Sequence, residues 1–352
     1  MTHRIPPRPA IARMGGERGL REGRAGFLRL DYNENTAGCS PRVRAALARM
    51  SGDEVASYPE YEATRRRLAR YFQVAPDELV LTNGADDSLR LVFDAFIDRG
   101  ERILLVHPTF AMYYLYAALF EAKVERLRYD AQMRFPLEEV IHHLRKRKPR
   151  VFFLANPNNP TGTLLPAAQV RGILDAGSRT LVVVDEAYFD FCGVTVLPWI
   201  RRYANLVVIR TFSKANGLAG LRLGCLLAHR DAARAFRAAQ PPFGVNTAAL
   251  VAARAAASDR AYVVKCSREV LRSRREFENV LNRLGVRSFP SAGNFLLVDF
   301  GPRAPEIVKA LEKRKILVRD RTADFGRPGH VRVTIGTRAQ MARVAAALEE
   351  IL

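Results

Sequence analysis

The 352-residue chain is 48% apolar, enough for a large core and more than one domain, and no apolar run is long enough to cross a bilayer. Its net charge of +20 suits an anionic ligand or substrate, but the arginines are scattered along helix faces such as RVRAALARM and YEATRRRLARYF, a solvated basic surface rather than a nucleic-acid footprint. Cys39, Cys192, Cys225 and Cys266 make no CxxC pair and no histidines stand at zinc spacing, which argues against a metal and for free thiols in a reducing cytoplasm.

The opening stretch, MTHRIPPRPAIARMGGERGLREGR, is basic but lacks the apolar stretch of a secretory signal, and residues 1–40 read as an N-terminal arm. From 41 to 240, short apolar runs alternate with amphipathic segments. ELVLTNG (78–84), RILLVHP (102–108), RVFFLAN (150–156), TLVVVDE (180–186), NLVVIRTF (205–212) and LGCLLAH (223–229) read as buried strands. ADDSLRLVFDAFI, FAMYYLYAALFEA, PLEEVIHHLRKR and PAAQVRGILDAG have helical periodicity and fall between strands, as crossovers of a mostly parallel sheet do. The densest basic run, RKRKPR (145–150), leads straight into a strand. Two long helical patterns follow, TAALVAARAAAS and DRAYVVKCSREVLRSRREFENVLNRLG. The tail then changes style, with strands in SFPSAGNFLLVDF, KILVRD and GHVRVTIGT, so residues 241–352 read as a smaller α+β domain.

In open α/β sheets ligands bind beyond the carboxyl ends of the strands. Here those ends carry NGAD, PTF, NPNNPTG, DEAYFDF and TFSK in turn. NGADD (83–87) turns a strand into a helix whose first N–H groups and positive dipole end suit a phosphate. Asp185 closes the apolar run LVVVD, where a carboxylate needs a cation or hydrogen bonds, and a protonated pyridine nitrogen would serve. A metal there lacks support, since only Glu186 stands beside it. NPNNPTG is stiffened by two Asn-Pro bonds and holds the Asn156 amide. In RTFSKANGLAGLRLG (210–224), a desolvated Lys214 would have a lowered pKa and could form a Schiff base with a carbonyl. Thr211 and Ser213 add hydroxyls, and Arg222 adds a fork for phosphate. One ligand meets all of these demands, having a phosphate, a basic ring nitrogen, a phenolic oxygen and an aldehyde: pyridoxal phosphate.

The ordered motifs LDYNEN (30–35), YPEY (58–61), TNGADD (82–87), PTFAMY (108–113), NPNNPTG (156–162), VVDEAYFDF (183–191), RTFSKANGLAGLRLG, SAGNFLLV (291–298) and VRVTIGT (331–337) resemble the histidinol-phosphate aminotransferase family. The resemblance implies the fold-type I architecture: a large domain with a mostly parallel mixed sheet flanked by helices, and a smaller C-terminal α+β domain. It implies that Lys214 carries the cofactor and moves the proton, that Asp185 pairs with the ring nitrogen, and that Asn156 and Tyr188 reach the phenolic oxygen. Ala85 and Asp86 through their amides, with Thr211, Ser213 and Arg222, would hold the phosphate. Tyr58 would reach the cofactor of a partner subunit, making a homodimer whose arms cross. Arg332 and Arg319 would take the substrate's acidic group, with Asn294, Tyr32, Asn33 and Asn35 around them. Phe110 stands where the family usually stacks a Tyr on the ring, and Thr36 where the arm often has Pro. The function implied is transfer of an amino group from histidinol phosphate to 2-oxoglutarate in histidine biosynthesis. An aromatic amino-acid aminotransferase and a threonine-phosphate decarboxylase on the same fold are the competing expectations.

Overall fold

The computed structural model describes residues 5–14 and 22–352. The arm ends in a two-residue strand, β1 (Leu28–Arg29), ahead of the main sheet. That sheet is built from β2 (Leu79–Thr82), β3 (Arg102–His107), β4 (Lys123–Arg128), β5 (Val151–Ala155), β6 (Leu181–Asp185), β7 (Leu206–Thr211) and β8 (Gly224–Ala228). Their spatial order is β2-β8-β7-β6-β5-β3-β4. The pairs from β4 through β7 are parallel, whereas β8 runs antiparallel to both β7 and β2. The sheet is therefore mixed and mostly parallel. The six expected strands are present; β4, with the sequence KVERLR, is an edge strand that no apolar run betrays.

Successive residues of one strand enter opposite cores, as a two-residue side-chain period requires. Leu104, Phe152, Val182, Val184 and Val208 join one core, under helices that include Glu62–Phe72, Leu137–Arg147, Ala167–Ala176 and Thr247–Ala256. Ile103, Phe153, Val183, Val207 and Ile209 join the other, under helices Ala85–Phe96, Ala111–Leu119 and Arg230–Ala239. Burial on both faces explains why these strands read as unbroken apolar runs.

The C-terminal part has its own sheet of β9 (Arg287–Phe289), β10 (Phe295–Asp299), β12 (Arg319–Asp320) and β13 (His330–Thr334), antiparallel in the order β12-β13-β10-β9. The remaining strand, β11 (Ile316–Leu317), pairs in parallel with β1, so the arm is strapped to this sheet. Leu30, Leu296, Val331 and Val333 form its core with helices Arg260–Arg283, Ala304–Lys313 and Arg338–Ile351. The boundary expected at 240/241 lies ahead of helix Thr247–Ala256, most of whose buried residues belong to the large-sheet core. Helix Arg260–Arg283 does the joining: Val263 packs with Tyr188 and Phe295, and Phe277 packs in the C-terminal core. Residues 5–14 lie against helix Ala111–Leu119, where Arg8 donates to the Leu119 carbonyl at 2.7 Å. Among the described residues no helix is long and apolar enough to cross a membrane.

Candidate active site

The phosphate-binding end is set by two glycines. Gly84, at φ 81, starts helix Ala85–Phe96 with no side-chain cap, so its first N–H groups stay open. A Cβ on Gly84 would lie 2.5 Å from Nη2 of Arg222, and one on Gly224 would lie 2.5 Å from the Gly84 carbonyl carbon. Only glycines let β8 and Arg222 come so close to the helix start. Arg222, in the left-handed region at φ 54, is held by hydrogen bonds to the Ala219 carbonyl and to Oδ2 of Asp86, both 3.1 Å. Thr211 ends β7, and its hydroxyl accepts from the Ser213 amide at 3.1 Å. Open amides, a helix dipole, two hydroxyls and a guanidinium make a seat for a phosphate dianion.

Asp185 ends β6 and is buried. Its Oδ2 accepts from the Tyr113 hydroxyl at 3.0 Å and its Oδ1 from the Ala187 amide at 3.0 Å. Burial pushes its pKa up to about 6, against the pull of those two donors and of Lys214. At neutral pH it is an ionised, poorly solvated carboxylate, which a cationic ring nitrogen would satisfy. Tyr113 is wholly enclosed, and burial first, then the Asp185 charge, holds its phenol protonated far above the usual range. Sequence reasoning passed over Tyr113 because FAMYYLYAALFEA shows it only as one aromatic in an apolar helix.

Lys214 follows β7, and its Nζ donates to the Tyr32 carbonyl at 2.9 Å. Burial, then the charge of Arg332, drives its pKa down to about 8, with Asp86 and Glu34 opposing. About a tenth of such amines are neutral at pH 7. That is the state required of a nucleophile or a base.

The opposite wall comes from the C-terminal sheet and the arm. Arg332 on β13 donates through Nη1 to Oδ1 of Asn159 at 2.6 Å and through Nη2 to the Asp31 carbonyl, while its Nε is buried without a partner. Burial pushes its pKa down to about 10. Arg319 sits directly opposite it in the β12–β13 register, so both side chains share a face. Arg319 reaches over Tyr32, its guanidinium carbon 5.8 Å from the ring centre. Arg321, two residues on and largely buried, pairs with Asp324, and its charge is felt at Arg332. Three guanidiniums thus stand near one another, and one of them, Arg321, is paired with a carboxylate. Arg321 escaped sequence reasoning because RDRT offers no reason to prefer the second arginine to the first.

Asn156 bonds within its own turn. Its Nδ2 donates to the Leu165 carbonyl at 3.0 Å and its Oδ1 accepts from the Leu165 amide at 2.8 Å. That amide ties the turn to the chain through both of its polar atoms. The asparagine on the site side is Asn159, which holds Arg332; three asparagines in seven residues cannot be told apart by spacing.

Tyr188 is buried, with Lys214 Nζ 6.0 Å from its ring centre and its hydroxyl accepting from Asn33 Nδ2 at 2.8 Å. Phe110 begins helix Ala111–Leu119 and meets Tyr113 edge-on at 5.8 Å. Asn294 donates to the Asn33 carbonyl at 3.1 Å and keeps a buried, unpartnered Oδ1. Asn35 donates to the Ala215 carbonyl, next to Lys214, at 2.8 Å. Tyr58 makes its contact elsewhere: it is 76% exposed and stacks on Phe243 at 4.3 Å. Among the described residues no group of His, Cys, Asp and Glu could hold a metal ion.

Pyridoxal phosphate fits these residues. The glycine-lined helix start with Arg222 suits its phosphate, the desolvated Asp185 its ring nitrogen, the low-pKa Lys214 its aldehyde, and Tyr188 its phenolic oxygen.

Residues 25–348 match the family model described as aminotransferase class I and II. The chain is 34% identical over 338 residues to a histidinol-phosphate aminotransferase of Anoxybacillus flavithermus, covering 92% of this chain and 88% of that one. It superposes on the crystal structure of histidinol-phosphate aminotransferase from Sinorhizobium meliloti in complex with pyridoxal-5'-phosphate with a TM-score of 0.84, at 27% identity and covering 92% and 90% of the two chains. L-threonine-O-3-phosphate decarboxylase from Porphyromonas gingivalis superposes with a TM-score of 0.82, at 29% identity and covering 92% and 99%.

Proposed function

Because the chain belongs to the class I and II aminotransferase family and is a pyridoxal-phosphate-dependent aminotransferase of fold type I, we propose that it moves the amino group of histidinol phosphate to 2-oxoglutarate, as a step of histidine biosynthesis. The observation that carries the substrate is the trio Arg319, Arg321 and Arg332 on one wall of the site, which suits a phosphate dianion and, in the second half-reaction, a dicarboxylate. Relatives along nearly the whole chain carry the same name.

When bound, pyridoxal phosphate supplies an aldehyde that takes up an amino group and a ring that accepts the electron pair freed at the substrate's α-carbon. The chain does the rest. Arg222, the amides of Ala85 and Asp86, Thr211 and Ser213 grip the phosphate. Asp185, aimed by Tyr113 and Ala187, holds a proton on the ring nitrogen. Tyr188 offers its hydroxyl proton to the phenolic oxygen, with Asn159 in the role expected of Asn156. Phe110 would lie against the ring. Lys214 would hold the aldehyde, and its neutral Nζ would serve as the base that moves the substrate's α-proton. Arg332, Arg319 and Arg321 anchor the substrate phosphate, and Tyr32, with Asn294, shields the mouth from water.

The working molecule is a homodimer in which the exposed Tyr58 serves the partner's cofactor. Four free cysteines fit a reducing compartment, the cytoplasm. The test is spectral: histidinol phosphate should bleach the cofactor band of the purified enzyme, and 2-oxoglutarate should restore it with formation of glutamate. An unchanged band with histidinol phosphate, or CO2 released from threonine phosphate without any need for a keto acid, rejects the assignment. The second outcome would favour the decarboxylase reading, which the same arginines and the structural likeness support.

A further inference from the structure

Asn33 lies in the arm at φ 56, is 1% exposed, and has both ends of its amide engaged. The Thr334 hydroxyl accepts from the Asn33 backbone N–H at 3.0 Å and donates its own proton to Oδ1 of Asn33, also at 3.0 Å. This fixes the orientation of the amide, whose Nδ2 therefore faces Tyr188 and donates to the phenol oxygen at 2.8 Å. A phenol that accepts from an amide must send its own proton elsewhere. Among the described residues Asn33 is the one hydrogen-bond partner of that hydroxyl. Asn294 closes the arrangement by donating to the Asn33 carbonyl.

We propose that Asn33 is a positioning residue rather than a substrate ligand: it aims the Tyr188 hydroxyl proton at the cofactor's phenolic oxygen, and it makes that hydrogen bond depend on the seating of the arm against β13. The inference rests on the reading that pyridoxal phosphate lies between Lys214 and Tyr188. Asn33 is almost wholly buried and each of its amide atoms already has a protein partner, which suits a positioning role. Burial raises the Tyr188 pKa above its ordinary value, so the group is a donor at neutral pH, while the Asn33 bond and Arg332 moderate the rise.

The test is a pH titration of the visible cofactor band in the holoenzyme. Asn33→Gly is the first variant, since glycine accepts positive φ and removes only the amide. Asn33→Asp is the second, of the same shape but with the donor replaced by an acceptor. With the hydroxyl proton no longer aimed, the phenolic oxygen is more basic and the proton it shares is lost at higher pH. The band pKa should rise in both variants, by about one unit, the size of one hydrogen bond to a charged group. In a Tyr188→Phe background Asn33→Gly should add nothing, because the cycle isolates the pair. A thermal melt confirms folding. An unshifted band in both variants, or an equal shift with and without the Tyr188 hydroxyl, overturns the inference. A parent enzyme with no cofactor band would instead sink the reading beneath it.

Discussion

The site works through buried charges whose hydrogen bonds set their proton affinity, and single residues test this most directly. Tyr113→Phe removes a donor that holds the Asp185 pKa down, so that pKa should climb above about 6. A protonated Asp185 cannot pair with a ring cation, so cofactor affinity should fall as pH drops through about 6 in the parent and at higher pH in the variant. At neutral pH the loss should be about tenfold, on the scale of one hydrogen bond to a charge; equilibrium binding across pH measures both effects. Lys214 has the opposite sign. Its depressed pKa means that the neutral amine grows as pH rises toward about 8, so capture of pyridoxal phosphate by cofactor-free enzyme should quicken up to that pH and then level off. A rate still climbing steadily at pH 10 would show an ordinary lysine. Lys214, Asp185 and Arg222 were legible in the sequence because strand ends in an α/β sheet converge, whatever the detail, and Tyr188 came only from the family resemblance. Tyr113, Asn159 and Arg321 were not, since each differs from its neighbours only in the direction its side chain takes.

At the level of elements, the phosphate seat depends on the crossing of β8 past the start of helix Ala85–Phe96. Gly224→Ala would put a methyl 2.5 Å from the Gly84 carbonyl carbon and 2.7 Å from the Ala85 nitrogen, backbone atoms that cannot step aside. The expected result is a loss of cofactor affinity of tenfold or more, about 1.4 kcal/mol, with the fold retained. Gly220→Ala, where an added methyl meets nothing within 4 Å, should bind normally and serves as the control. Equal affinities, measured by fluorescence titration, would refute this account of the seat. The buried strands were readable because both of their faces are covered, which forces apolar residues at every position. β4 was hidden because an edge strand alternates with charge, and β1 and β11 because two residues carry no period.

For the whole molecule, the exposed aromatic pair of Tyr58 and Phe243, with Val55 nearby in sequence and 71% exposed, is surface that a second copy would cover. Phe243→Glu should shift the sedimenting species toward the monomer and loosen the cofactor in parallel, because each copy would then lose the other's Tyr58. A monomeric variant that retains cofactor at full strength would argue that each chain is complete alone. One further consequence follows from the pairing of β1 with β11. The amides of Leu28 and Leu30 bond to the carbonyls of Lys315 and Leu317, while two residues further on Tyr32 offers its carbonyl to Lys214. The strap is therefore a natural gauge: deuterium uptake at those two amides, followed by mass spectrometry, would time each opening of the arm without a dye, a label or any change near the lysine.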